Sequence, residues 1–394
     1  MRINEVSGKT ILDSRNEKTI LVTIKTNVGE FSASSPSGKS TGKFEAKTYR
    51  KNIEEDIKSL KQLSDYFSDE SMDNFDDLRR IEDIVDGQIG ANTTFALESA
   101  ILKAIAKENK KEVWGLINEK AKKFPRLVGN CIGGGKHSSI ERKPDFQEFL
   151  LIPNLKSVEE NFERIKKAKK EVKEIIAKED RKFRGEKNDE DAWMTYLTEK
   201  EVLEILKREN IPLGIDIASS GFYKRKNYNY ENPKFKRNEK EQLEYVSNLI
   251  KNFNLYYLED PFEENDFESF AELLKRFPDR LIVGDDLTTT NLKRLDKAIK
   301  LKSINAIIVK PNQIGSLMEV KEVCELAKKK NIKIVFSHRS GETEESILAD
   351  LAFGFQAEFL KCGITGSERE IKIKRLIEIE KATTPPVSSA RISR

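Results

Sequence analysis

Leu281-Ile282-Val283-Gly284 runs straight into Asp285, and the same grammar recurs through the second half of the chain. Leu213-Gly214-Ile215 ends on Asp216, Leu255-Tyr256-Tyr257-Leu258 on Glu259, and Ile307-Ile308-Val309 on Lys310. Ile334-Val335-Phe336-Ser337 ends on His338 and Phe359-Leu360 on Lys361. Each is a short apolar run of the length of a buried strand, closed by a polar residue. The closing residues fall 43, 26, 25, 28 and 23 positions apart, and every interval but the first fits one strand plus one helix. Functional groups at successive C-terminal strand ends are what the active-site face of a (β/α)₈ barrel requires. The α/β class follows, with a TIM-type barrel over residues 126–394 beginning after Pro125.

Residues 1–125 read differently. Thr19-Ile20-Leu21-Val22-Thr23-Ile24-Lys25-Thr26 alternates with period two, and Asn27-Val28-Gly29-Glu30 is a turn. A polar loop, Ser34 to Gly42, precedes helices, of which Phe95 to Ala106 is the clearest amphipathic one. This segment is expected to be an α+β domain capping the barrel.

The 394 residues carry 71 basic and 67 acidic side chains, a net charge of +4. That near-balance speaks against nucleic acid or a membrane surface as the main partner. Cys131, Cys324 and Cys362 are too few and too scattered for a disulfide framework or a zinc site. No signal-peptide pattern opens the chain and no apolar run is long enough to span a bilayer, so the cytoplasm is the expected compartment. The basic stretch from Arg164 to Lys187 interleaves lysines with Glu171, Glu174, Glu179 and Asp180 around a single aromatic, Phe183, and reads as a solvated helix face. Gly38-Lys39-Ser40 resembles the end of a phosphate loop, but Ala33 stands where that motif needs its first glycine.

The chain has two histidines. His137 lies in Gly133-Gly134-Gly135-Lys136-His137 and His338 in Ser337-His338-Arg339-Ser340-Gly341. Histidines among Ser, Arg and Gly at a strand exit suit anion binding or proton transfer better than a core. Asp216, Glu259 and Asp285 would converge on one mouth, where three like charges repel unless a cation neutralises them. Oxygen-only ligands with an incomplete shell favour Mg²⁺. Lys310 would face the same mouth and, beside such a charge, serve as a base. A cation cluster plus a lysine suits removal of a proton next to a carboxylate.

Ten stretches, in order, resemble the enolase family along nearly the whole chain. They are Ile11 to Arg15, Ser37 to Gly42, Gln147-Glu148-Phe149, Asp189-Glu190, Asp216 to Ser220, Glu259-Asp260-Pro261-Phe262, Gly284 to Thr288, Lys310 to Gly315, Ser337 to Glu344, and Lys361-Cys362-Gly363. The resemblance implies an enolase-type barrel and a site that takes a phosphorylated carboxylate and interconverts 2-phosphoglycerate and phosphoenolpyruvate, as follows. Asp216, Glu259 and Asp285 hold Mg²⁺, with Ser40 completing a second ion when the loop closes. Lys310 takes the C2 proton, and Glu190 protonates the departing C3 hydroxyl. Gln147 and Glu148 line the substrate near that hydroxyl. Ser337, His338, Arg339 and Ser340 flank the phosphorylated end, with His137 closing over the phosphate, and Lys361 meets the carboxylate. Glu259 and Asp285 also face the substrate. The resemblance further implies a homodimer.

The departures avoid the metal ligands and the base. Asp191 and Ala192 replace two glycines after Asp189-Glu190, Lys39 replaces a small residue, Asn16-Glu17-Lys18 replaces Gly-Asn-Pro, and Gly221 replaces a glutamate. Asp191 is expected to raise the pKa of Glu190 if the two approach closely. The alternatives are a related enzyme acting on another phosphorylated hydroxy acid, or a mainly RNA- or protein-binding role.

Overall fold

Alternation of apolar side chains shapes the first sheet. In the computed structural model, which describes residues 1–39, 42–67 and 71–384, β1 (Ile3–Leu12), β2 (Lys18–Thr26) and β3 (Gly29–Ser34) form an antiparallel meander. Ile20, Val22 and Ile24 are fully buried on one face of β2. Asn16 turns the chain between β1 and β2 at φ 59°, a left-handed conformation that asparagine tolerates. Four helices follow: α1 (Ile53–Phe67), α2 (Leu78–Val85), α3 (Ala91–Glu108) and α4 (Val113–Ile117). The expected amphipathic helix is α3, but it is buried on nearly all sides because it packs against the cap sheet and meets the barrel. Its Glu98 Oε2 accepts from the backbone N–H of Leu317 at 2.7 Å, on the barrel side.

The barrel begins with β4 (Arg126–Gly133) and β5 (Glu148–Leu151), followed by α5 (Val158–Glu179), β6 (Trp193–Met194), α6 (Glu199–Lys207) and β7 (Leu213–Asp216). A small antiparallel sheet, β8 (Tyr223–Lys224), β9 (Asn227–Glu231) and β10 (Lys234–Arg237), is inserted before α7 (Glu239–Phe253). That insertion accounts for the long first interval. Then strands and helices alternate: β11 (Tyr257–Glu259), α8 (Phe267–Arg276), β12 (Leu281–Gly284), α9 (Leu292–Leu301), β13 (Ala306–Val309), α10 (Leu317–Lys329), β14 (Lys333–Ser337), α11 (Ile347–Gly354), β15 (Phe359–Gly363) and α12 (Ser367–Thr383). The sheet runs β15-β14-β13-β12-β11-β7-β5-β4 and closes by pairing β15 with β4. The eight-stranded barrel is therefore present. β5 is antiparallel to both neighbours, and β6 pairs with β4 outside the ring.

In the basic stretch, α5 turns Phe162, Ile165, Ala168, Val172 and Ile176 inward at helical spacing, and most of its charges face water. Lys169 is the exception, sitting within the buried stripe. Among the described residues no phosphate-loop geometry follows β3: Ala33 is a strand residue, and the next helix, α1, begins only at Ile53.

The barrel interior is a separate apolar cluster: Val128, Leu150, Ile152, Tyr257, Leu281, Val283, Ala306, Ile308, Val335 and Phe359. Intervening residues such as Ile282, Ile307, Val309 and Phe336 pack outward against the helices. No described helix is long and apolar enough to cross a membrane.

Candidate active site

Strand parity aims the polar residues. Each apolar interior residue is followed, two positions toward the barrel mouth, by another that points inward. Val128 is thus followed by Asn130, Tyr257 by Glu259, Val283 by Asp285, Ile308 by Lys310, Val335 by Ser337 and Phe359 by Lys361. β5 runs the other way, so Glu148, two residues before Leu150, reaches the same end. Register brings Glu148 opposite Asp216 and Asp216 opposite Glu259. The polar layer opens into a cavity of about 800 Å³ lined by residues of both domains.

Lysines separate the carboxylates. Lys361 Nζ lies 3.1 Å from Asp216 Oδ2, 2.7 Å from Glu259 Oε1 and 3.2 Å from Glu148 Oε2. Lys310 Nζ donates to Asp285 Oδ2. Burial pushes the Glu259 carboxyl up to about 8, reinforced by Asp216, and raises Asp216 as well. Burial alone would favour neutral amines. Asp285 outweighs it at Lys310, and Asp216, Glu148 and Glu259 outweigh it at Lys361, so both stay ammonium ions.

Asp285 Oδ1 is buried without a hydrogen-bond partner, and Tyr257 Oη donates to Glu259 Oε2 at 2.7 Å. An oxygen-only set with an orphaned buried carboxylate oxygen fits a hard divalent cation held by Asp216, Glu259 and Asp285. Among the described residues, the acid groups already within 4.8 Å of one another are Asp260, Asp285 and Asp286, and the mixed set His137, Glu148 and Glu190. Asp260 ties that rim together, because its carboxylate accepts from the backbone N–H groups of Asp285, at 3.0 Å, and Asp286. Ser40, the remaining expected ligand, lies outside the described residues.

Glu190 stands across the cavity, buried, on the loop before β6. Asn130 Nδ2 donates to its Oε2 at 2.9 Å. His137 Nδ1 is 3.4 Å from Oε1 and His338 Nε2 is 3.7 Å from Oε2. His137 therefore faces the acid and Glu148 (3.8 Å) in this conformation. Burial pushes both imidazoles down, His338 well down. Burial also favours neutral Glu190, but His137, His338 and Arg369 outweigh it and hold its carboxyl low. Burial and the Glu190 charge push Glu148 well up. The two neighbouring carboxyls are thus pushed in opposite directions, Glu190 down and Glu148 up. The Asp191 carboxylate, expected to act on Glu190 if the two approached closely, is paired with Lys169 and Lys187. Gln147 lines the cavity beside them.

The other end is cationic. Arg339 is buried; its Nη1 donates to Asn312 Oδ1 at 3.1 Å and its Nη2 to Glu45 Oε2 at 3.0 Å. Ser340 Oγ accepts from the Lys39 backbone N–H at 2.8 Å, and Ser337 Oγ donates to the His338 carbonyl at 3.0 Å. Gly38 passes so close to Arg339 that a Cβ there would sit 2.0 Å from Nη2, so a larger residue would have to displace the guanidinium. Ser37 and Gly341 exchange backbone hydrogen bonds of 2.7 and 2.9 Å, fixing the cap loop on the mouth.

Comparison with known proteins agrees with this geometry. The chain matches "Enolase, N-terminal domain" over residues 3–117 and "Enolase, C-terminal TIM barrel domain" over residues 121–389. The chain belongs to the enolase family. It is 35% identical to the enolase of Pyrobaculum aerophilum, covering 96% of each chain. It is 35% identical to that of Methanosphaera stadtmanae over 98% of each. It is 36% identical to that of Sulfurisphaera tokodaii over 96% of this chain and 95% of the other. Matches of this length do not favour a different hydroxy acid or a mainly binding role. Enolase membership implies a divalent metal and a phosphorylated small-molecule substrate.

Sequence reasoning passed over several groups in this enolase site. Asn130 carries a readable signal, two positions beyond Val128 on an inward face. Asp260 and Asn312 sat inside quoted stretches without a role. Glu45 and Arg369 gave no signal, because the contacts that bring them to the site cross elements far apart in the chain.

Proposed function

We propose that this chain is a phosphopyruvate hydratase, a carbon–oxygen lyase interconverting 2-phosphoglycerate with phosphoenolpyruvate and water. One observation carries the reading: a lysine and a carboxyl pair face each other across a cavity whose remaining walls are an acidic rim and a buried arginine. Asp216, Glu259 and Asp285 would hold Mg²⁺. When bound, Mg²⁺ supplies positive charge against the substrate carboxylate and the second negative charge that develops on it.

The chain's own groups do the rest. Arg339 presents a planar fork matched to phosphate oxygens, with Ser340 beside it. Lys361 orients the carboxylate. Lys310 takes the C2 proton once its tie to Asp285 is given up, because burial, Arg339 and Lys361 all favour its neutral amine. Glu190, with Glu148 beside it, then delivers a proton to the C3 hydroxyl, which leaves as water. His137 and His338 hold Glu190 in place. The cap (1–125) and barrel (126–394) close over the reaction and keep bulk water out.

The reading extends to a homodimer in the cytoplasm, for which sedimentation at twice the chain's mass is the expected result. The decisive assay follows phosphoenolpyruvate absorbance from 2-phosphoglycerate with Mg²⁺, with excess chelator, and with Mg²⁺ restored. Activity that is lost and then regained supports the reading. Full turnover in chelator, or none with Mg²⁺, contradicts it.

A further inference from the structure

Behind Glu190 lies a buried ion pair that the proton transfers do not use. Lys169 sits in the apolar stripe of α5, between Ile165 and Val172, and is 3% exposed. Its Nζ donates to the Asp191 carbonyl, to Asp191 Oδ2 at 3.0 Å and to Thr365 Oγ1. Thr365 donates to the same carboxylate, and Lys187 Nζ closes on it from the outer side at 2.8 and 3.1 Å. Trp193 backs the cluster: its Nε1–H donates to the Lys169 carbonyl at 2.9 Å, and the ammonium groups of Lys169, Lys173 and Lys187 lie 5.2–5.5 Å from its ring.

Burying an ammonium is costly unless it is paired. Packing of α5 does not need a charge there, since an apolar side chain would complete the stripe. What the lysine gains is a fixed hold on the residue after Glu190. Asp191 is kept at φ 63°. On the other side, Asn188 Oδ1 accepts from the backbone N–H groups of Glu190 at 3.0 Å and Ala192 at 2.9 Å. The backbone of Glu190 is therefore gripped from both directions. Thr365 lies four residues beyond Lys361, so the same knot ties the Glu190 loop to the strand that carries Lys361.

We infer that Lys169, Asp191 and Thr365 form a clamp that positions Glu190 for the second proton transfer, with Lys169 and Asp191 as positioning residues. The inference rests on the reading of Glu190 as the general acid. It separates the two halves of the reaction: the clamp touches the acid loop and leaves Lys310, on β13, alone.

The test uses Asp191→Gly, which keeps the left-handed backbone accessible while removing the carboxylate, and Lys169→Met, which keeps the apolar stem. Two quantities are read on the full-length protein with Mg²⁺. One is amide hydrogen exchange of the segment 187–193. The other is the ratio of dehydration to C2 deuterium exchange of 2-phosphoglycerate in heavy water. The expected result is faster amide exchange in that segment for both variants. Dehydration falls about 10- to 100-fold, the scale of a misplacement near 1 Å, with C2 exchange and KM unchanged. The double variant should be no worse than Asp191→Gly, since both break one unit. Unchanged amide exchange overturns the clamp. Loosened segments with an unchanged ratio, or equal losses in both proton transfers, overturn its positioning role. If the wild type itself neither exchanges nor dehydrates the substrate, the functional reading fails, while amide exchange still decides whether the clamp exists.

Discussion

Arg339 holds two partners before any phosphate arrives: Asn312 on one side of its fork and Glu45 on the other. A phosphate must take over from the Glu45 carboxylate, and a guanidinium can meet it with two parallel hydrogen bonds. Lysine at this position keeps the charge and loses the fork. Arg339→Lys should therefore raise KM for 2-phosphoglycerate about 10- to 100-fold, the worth of a charged hydrogen bond, as steady-state kinetics would read. An unchanged KM would remove the phosphate from this end. Asp285 gives the second prediction at this scale. Its orphaned Oδ1 suits a cation, so Asp285→Asn should weaken Mg²⁺ binding by titration calorimetry while leaving the folded state intact, because the empty rim becomes less repulsive.

At the scale of the element, the strand is where sequence reading succeeded. An apolar run with period two places the next residue on the inward face, so Glu259, Asp285, Lys310 and Lys361 could be read from the runs before them. Direction was harder to read. Glu148-Phe149-Leu150-Leu151 looks like any buried strand, and only the lack of an α-helix between β4 and β5 marks it as antiparallel. The acid loop was opaque for another reason: Asp191 looked like a free charge beside Glu190, and its partner Lys169 is a lysine in the middle of a basic helix.

Just beyond the acid loop, α6 carries Glu199, whose Oε1 accepts from the Asp145 backbone N–H at 2.6 Å. Burial pushes its carboxyl up to about 7, above the ordinary carboxylate range. A raised acid binds its proton more tightly folded than unfolded, so its stabilising effect is full below the unfolded pKa and is lost as pH rises toward 7. Glu199→Gln should flatten that loss by at most about 3 kcal/mol. Thermal melts at pH 5 and pH 8 would show the variant losing less stability than wild type. Equal losses would contradict the assignment.

Across the whole molecule, cap and barrel meet through backbone pairs at Ser37 and Gly341, a 2.8 Å contact between Ser34 and Thr343, and Asn312 Nδ2 donating to the Pro36 carbonyl at 3.1 Å. These contacts join residues hundreds of positions apart, which is why the composition of Ser34 to Gly42 looked like an ordinary polar loop. A cation held by the barrel would stabilise the assembled protein by mass action. A ligand bound only by the folded state adds about 2.7 kcal/mol at a hundredfold excess over its Kd. Mg²⁺ at that excess should raise Tm by several degrees in wild type and by much less in Asp285→Asn.

C2 deuterium exchange in heavy water, followed by NMR beside phosphoenolpyruvate formation, separates Lys310 as base from Glu190 as acid in a stepwise reaction. Wild type should do both. Lys310→Ala should lose both. Glu190→Gln should lose roughly 10²- to 10⁴-fold in dehydration, the usual scale for a general acid, while retaining C2 exchange. Exchange that survives in Lys310→Ala would show that Lys310 is not the base.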